Sequence, residues 1–467
     1  MLETDYLIVG SGAGGMIFAD QALSETDASI VIVDRHHMPG GHWNDAYSFV
    51  RLHQPSAFYG AGSLQLGGDS IDQFGLNKGY YELATGAEIV SYFDKLMNTR
   101  FIPSGRVQYY PMCDYLGDGK FVSRLSGEMH EVVFRKRLVL TNFLNTQVPS
   151  THSPCFEVAE GVKLVTPNLL PECAPGYQRF VVIGGGKTAM DVGIWLLQMG
   201  VKTENIRWII PRDSWLQNRD AIQPGDAFFE RTAGGLADQF EAAAEASSVE
   251  DLFDRLERKG QMLRIDRTVT PTVYRGATLS PLEVEALGAI KNVVRKGYAK
   301  RIERDRIILA RGMVAATPGD LYVDCTARAF TRRRSVPIFE GDRITLQPVR
   351  AGRTSLSYAV IGHVEASYSD DSIKNYLCAP IPAPDITADW PRDMLADLRI
   401  AQRWAADKML RSWVVEHRLS GAGFATAGAA PTPEVARIRT RLKEARPRAE
   451  TNLKRLVGGI DQHQQNI

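Results

Sequence analysis

Two groups of residues in this chain have the types and spacing to hold the phosphates of a nucleotide. The first is Gly10-Ser11-Gly12-Ala13-Gly14-Gly15, which follows the apolar run Tyr6-Leu7-Ile8-Val9. The second is Gly184-Gly185-Gly186-Lys187-Thr188-Ala189, which follows Phe180-Val181-Val182-Ile183. Each apolar run predicts a strand buried in a parallel sheet, and each small-residue run predicts a tight turn into a helix. Gly10 permits the turn, Gly12 lets the backbone approach a pyrophosphate, and Gly15 lets the helix pack closely on the strand. Gly184, Gly186 and Ala189 take the same three tasks in the second unit, Ala being small enough for the last. The phosphates would rest on unpaired N–H groups at the positive end of each helix. Glycine turns are common singly. Two in the same setting predict a protein that holds two dinucleotides and passes electrons between them.

The residues beyond each second strand make the two sites unequal. Ser29-Ile30-Val31-Ile32-Val33 ends in Asp34-Arg35. An acid at this place accepts hydrogen bonds from ribose hydroxyls and repels a 2′-phosphate, so the first site suits FAD or NAD and not NADP. Arg35 beside it is a further candidate contact. The corresponding strand of the second unit ends Trp208-Ile209-Ile210-Pro211-Arg212. A guanidinium there can pair bidentately with a 2′-phosphate, which assigns NADPH to the second site. Lys187 and Thr188 open the helix and are candidates for further phosphate contacts, while Asp191 complements the helix dipole. Gly186-Lys187-Thr188 also looks like the end of a nucleotide triphosphatase P-loop, but the glycine that motif requires is replaced by Val181 within a strand. His36 and His37 are expected at the surface.

Pro39-Gly40-Gly41-His42-Trp43 resembles the Gly-Gly-x-Trp segment of flavin-containing and Baeyer–Villiger monooxygenases, and Val182 to Asp191 resembles their NADPH-binding segment. The resemblance covers roughly residues 1–215, with a weaker echo at Asp324-Cys325-Thr326-Ala327. It implies FAD in the first site, with Gly41, His42 and Trp43 beside it. It also implies that NADPH reduces the flavin and that a C4a-hydroperoxide then delivers one oxygen atom from O2 to the N, S or ketone of a small molecule. Ser48 to Pro55 resembles the segment where this family sets a polar residue beside the flavin. Here Arg51, His53 and Gln54 are the catalytic candidates. A helix beginning after Arg353-Thr354-Ser355 could aim its N-terminus at the flavin ring. The family's Phe-x-Gly-x-x-x-His signature is absent, its Ala-Thr-Gly is replaced by Leu140-Thr141-Asn142, and no Cys-x4-Cys follows the first turn. The chain therefore reads as a divergent member without a redox disulfide, and substrate class does not carry over. A reductase feeding a carrier or quinone, and a non-catalytic flavin-binding module, are the alternatives.

These motifs need a scaffold of more than one core, which 467 residues can supply. The expected fold class is α/β, with two Rossmann-like dinucleotide-binding domains. The FAD domain (1–165 and 320–385) is split by an NADPH domain (166–319) that carries a helical insertion at 220–300, and a helical extension follows at 386–467. Strand-like segments near 303–310 and 321–326 are expected to return the chain to the first domain, and the basic helix near 433–457 is expected to be a solvated surface helix. Residues 38–70 read as a long functional loop. With 55 basic against 54 acidic residues the formal charge is +1, which argues against nucleic-acid or membrane-surface partners. Five scattered cysteines read as reduced thiols, without a disulfide framework or metal site. No signal peptide and no apolar run near the ~20 residues of a membrane span is seen, so a cytoplasmic location is expected. The expected partners are a small-molecule substrate and O2, with room left for a homodimer.

Overall fold

The computed structural model describes residues 2–420 and 432–465. The apolar runs form parallel strands because their residues are buried on both faces: Leu7 to Val33 contributes Leu7, Ile8, Ile30, Val31, Ile32 and Val33 to the interior. Leu2–Val9 lies between Ile30–Val33 and Met129–Leu140, parallel to both. Val107–Tyr110 extends the sheet on one side, and Arg343–Thr345 with Phe339–Glu340 extends it on the other. Lys120–Ser123 pairs antiparallel with Met129–Leu140, so the long strand belongs both to the expected meander and to the parallel sheet.

Helix Ala13–Glu25 packs on this sheet together with helix Thr354–Ser367. Their approach is close enough that a Cβ on Gly362 would lie 2.8 Å from Gln21 Cβ. The helix expected after Arg353 is thus present, with its N-terminus beside the first turn: a Cβ on Gly14 would meet Leu346 and Tyr358 at 3.4 Å.

The second sheet is wholly parallel, with Leu164–Val165, Asp320–Asp324, Arg179–Ile183, Ile206–Ile209 and Val293–Val294 in spatial order. This corrects the expected boundary. Asp320–Asp324 is buried throughout because it sits between two strands of the second sheet. Arg306–Leu309 joins Ala299–Ile302, Gly312–Ala315 and Glu157–Val158 in a four-stranded sheet. The chain rejoins the first sheet only at Phe339–Glu340 and Arg343–Thr345. A strand signal says nothing about which strand will be the partner.

Helices Phe229–Glu245 and Val249–Arg258 lie within the 220–300 segment, and helices Asp389–Ala406 and Pro433–Gln465 pack against them around Trp215, Phe253 and Trp390. The last helix is not merely solvated. Ile438, Ala445, Ala449, Leu453 and Leu456 are buried, and Arg441 pairs with Asp238 at 2.6 Å and Glu241 at 2.8 Å. Its basic count hid an apolar stripe at helical spacing. No helix among the described residues is long and apolar enough to cross a membrane.

The Gly362 contact generates a test. Gly362→Val forces a branched side chain into Gln21, and overpacking of this kind costs about 1–3 kcal/mol. The expected outcome is a lower urea midpoint with an unchanged m-value.

Candidate functional site

The first turn is built as its glycines require. Gly10 has φ +110°, and a Cβ on Gly15 would come 2.0 Å from the Gly10 carbonyl oxygen. Both positions therefore exclude any side chain. The loop carrying Gly41 folds back over the turn: Gly40 N–H donates to Ser11 O at 2.9 Å, and a Cβ on Gly41 would lie 2.9 Å from Gly12 Cα. Helix Ala13–Glu25 has Gly12 as its N-cap with no side-chain cap, which leaves its first N–H groups for a ligand. This backbone cradle fits a dinucleotide pyrophosphate. Gly14 serves packing on Leu346 and Tyr358.

Asp34 is buried at the end of its strand and accepts from Ser11 N–H at 2.5 Å and His36 N–H at 2.7 Å. Its pKa is lowered: burial pushes it up, but the hydrogen bonds from the His36 ring and from these two N–H groups outweigh burial. His36 is not the surface residue expected. Its ring lies between Asp34 (Nδ1, 2.9 Å) and Asp45 (Nε2, 2.8 Å), and the Asp34 bond raises its pKa. Arg35, the further candidate contact, stands exposed. The His42 ring packs tilted against Trp43 with 5.0 Å between centroids and is held neutral, burial pushing its pKa down to about 4. Trp43 Nε1 donates to Tyr59 OH at 2.8 Å.

The second turn repeats the design. Gly184 has φ +135° and abuts Cys325 O, while a Cβ on Gly186 would meet nothing within 4 Å, so the space above that backbone is open. Gly186 caps helix Lys187–Gln198 without a side-chain bond, and Ala189 is fully buried. Arg212 reaches the turn through its carbonyl oxygen, which a Cβ on Gly185 would approach at 2.9 Å. Its guanidinium lies 3.6 Å from Asp385. Lys187 pairs with Asp191 one turn along the helix, so the lysine starts out neutralised. Asp191 does more than complement the dipole, since it also accepts from Tyr47 OH at 2.7 Å.

Residues 41–53 join the two turns. Tyr47 binds Asp191, Phe49 stacks on Trp195 at 5.2 Å, and His53 docks on strand Val273–Leu279, accepting from Thr278 N–H at Nδ1, 3.1 Å. Accepting at Nδ1 leaves the proton of the neutral ring on Nε2. Burial, with Lys187 and Arg219 nearby, depresses the His53 pKa to about 3. Of the three catalytic candidates, His53 alone is fixed between the two units. Gln54 is part-buried next to it, whereas Arg51 is exposed and its backbone bridges Thr85.

Sequence reading missed Arg219. It is 0% exposed and binds Glu283 at 2.7 Å, Asn77 Oδ1 at 3.1 Å, His53 O at 3.2 Å and Thr278 O at 3.3 Å. An arginine amid polar residues carries no signal of burial, and only Glu283 in the capping box Ser280-x-x-Glu283 hinted at an ordered neighbour.

Fold and cradle together define a dinucleotide-binding protein: residues 8–63 match the family model described as an NAD(P)-binding Rossmann-like domain. The chain belongs to the same family as uncharacterized protein Rv2000 of Mycobacterium tuberculosis H37Rv and uncharacterized protein Mb2023 of Mycobacterium bovis. Each is 47% identical to it over 419 residues, which are 90% of this chain and 78% of the relative. Among solved structures, an open form of cyclohexanone monooxygenase is 13% identical with a TM-score of 0.49, over 80% of this chain and 88% of that one. Cyclohexanone monooxygenase from Rhodococcus sp. Phi1 bound to NADP+ is 13% identical with a TM-score of 0.48, over 95% and 98%. Likeness this distant leaves the choice of cofactor and reaction to the residues of this chain.

Two outcomes test the site. Arg219→Met leaves the Glu283 carboxylate buried without its cation, and a loss of about 3–5 kcal/mol is expected in urea unfolding. For His53 the folded pKa lies below its ordinary 6.5. The unfolded chain therefore takes up the proton first, and the stability His53 contributes is present above pH 6.5 and lost as pH falls toward 3. His53→Gln is expected to lose less stability than the parent on acidification through that window, as read from urea midpoints.

Proposed function

We propose that the protein is an FAD- and NADPH-dependent oxidoreductase acting as a monooxygenase on a small molecule. The observation that carries this reading is the loop 41–53, which touches the first turn at Gly41 and the second helix at Tyr47. Six residues of chain span at most about 20 Å, so the two turns are tied within that distance of one another by this loop, and His53 further along it is anchored on Thr278. An arrangement of this kind serves transfer between two bound dinucleotides. Asp34 favours FAD in the first cradle, and Arg212 favours NADPH in the second.

Bound in these cradles, NADPH would supply a hydride and FAD the means of activating O2, with one oxygen atom going to the acceptor and the other to water. The chain's own residues orient and shield. The uncapped helix N-termini hold the two pyrophosphates, and Asp34 holds a ribose. Tyr47, Phe49 and Trp195 pack the junction between the turns against water. His53, neutral at physiological pH, presents Nε2–H as a fixed donor between the units. The N-terminus of Thr354–Ser367, beside Leu346 and Tyr358, adds a positive dipole end on the flavin side.

Purified protein is expected to bind FAD and to be bleached by NADPH without air. Readmitted O2 should be consumed in step with an oxygenated product; return to the oxidised spectrum with all O2 recovered as H2O2, and rapid electron passage to a quinone, would instead make it a reductase. Loss of a charge-assisted contact costs about 1.5–3 kcal/mol. Arg212→Ala is accordingly expected to raise KM for NADPH about tenfold or more and to leave KM for NADH unchanged. An equal response to both removes the 2′-phosphate assignment.

A further inference from the structure

We propose that Arg212 and Arg275 together form the 2′-phosphate site of the second cradle, and that Asp385 is a resident anion which the phosphate must displace; the inference rests on the NADPH reading above. The two arginines come from different elements. Arg212 follows strand Ile206–Ile209, and Arg275 lies on Val273–Leu279, whose start is registered with Ser214. Both guanidinium groups converge on the same carboxylate. Arg212 Nη2 stands 3.6 Å from Asp385 Oδ2, Arg275 Nη2 stands 2.5 Å from Oδ1, and Arg275 Nε donates to Oδ1 at 2.7 Å. Arg328 adds a third positive charge to the field at Asp385.

One carboxylate thus meets two guanidinium groups in direct contact, in a chain whose overall charge is only +1. The local excess lies beside the turn of Gly185, where the sequence already places the 2′-phosphate. The neighbouring acids are committed elsewhere: Asp389 accepts the Asp385 N–H at 2.8 Å and pairs with Arg332 at 3.0 Å, and Asp213 pairs with Arg295 at 3.0 Å. A phosphate dianion brings more charge and three acceptor oxygens against the two of Asp385. The resident pair is open to solvent, with side-chain exposures of 31% for Arg212, 39% for Arg275 and 28% for Asp385. Pairs so exposed are weak and exchange readily.

Asp385 can yield its side-chain place without unravelling its segment. Its N–H donates to Asp389 at 2.8 Å, its carbonyl accepts from Tyr274 N–H at 3.3 Å, and Ile386 bridges Val273. These backbone contacts do not involve the carboxylate. Asp385 therefore sets how strongly the cradle prefers a 2′-phosphate: it holds the arginines in place when the site is free and weakens the cofactor by competing for them.

The test is calorimetric titration of the full-length protein with adenosine 2′,5′-bisphosphate, using adenosine 5′-monophosphate as the control without the 2′-phosphate. Asp385→Asn is expected to tighten the bisphosphate about three- to fivefold, the share of a solvent-exposed ion pair, and to leave the monophosphate unchanged. Arg275→Gln is expected to weaken the bisphosphate about tenfold with no effect on the monophosphate. A folded Asp385→Asn protein that binds the bisphosphate no better than the parent overturns the competing role. Arg275→Gln with unaltered preference overturns the shared site, and it decides alone should Asp385→Asn not fold. A parent protein that binds both nucleotides equally fails the NADPH reading itself, and this inference with it. A parent that prefers the bisphosphate, with both variants indistinguishable from it, fails only the inference.

Discussion

A guanidinium with no exposed surface has to find all of its partners inside the protein, because an unpaired buried charge costs several kcal/mol. Arg219 meets that demand with groups from four separate segments: the His53 carbonyl, the Asn77 amide, the Thr278 carbonyl and the Glu283 carboxylate. Two of these belong to the loop region of the first unit and two to the second. Their positions are fixed relative to one another by a single charge, and the placement of His53 depends on it.

The loop over the first turn is braced from the far end of the chain. Arg418 donates to the carbonyls of Ala57, Tyr59, Ala61 and Leu64, and Arg353 donates to Ser420 O at 2.6 Å. Tyr59 in turn receives Trp43 Nε1, so the C-terminal extension steadies the loop that covers Gly12. Trp413 stacks between His363 and His417 with centroids 4.5 and 4.3 Å away, and Glu25 bonds both His363 and Trp413. These contacts knit the extension to helices Ala13–Glu25 and Thr354–Ser367. It therefore belongs to the architecture of the first unit, although its last helix is seated on helix Phe229–Glu245 of the second.

The two turns were legible in the sequence because their demands are local. A strand of buried apolar residues, a positive φ and a close helix–strand approach each select residue types within a few positions, so Gly10, Gly15, Gly184 and Ala189 stand where their spacing placed them. Asp34 and Arg212 were legible for the same reason, each lying just beyond a short strand. The exposure of Arg51 beside the part-buried His53 and Gln54 was not legible, because the loop they occupy has no period and neighbours in sequence point in different directions there. His36 was misjudged because its role depends on Asp45, brought to it by a turn that no pattern announces. The helix 433–465 was misjudged by composition, which counts charges without asking which face they occupy.

The sequence by itself determined that this chain makes two Rossmann-like turns, one ending in an acid and one in a base, since strand burial, glycine conformation and charge type are properties of short segments. Tertiary structure alone decided which sheet received Asp320–Asp324, that Arg219 would bury itself at the junction, and that Arg212 would meet Arg275 and Asp385. Those outcomes depend on pairing between residues far apart in the chain. Parallel strands and buried charges accept any partner of the right chemistry, and only the packing of the whole molecule selects one.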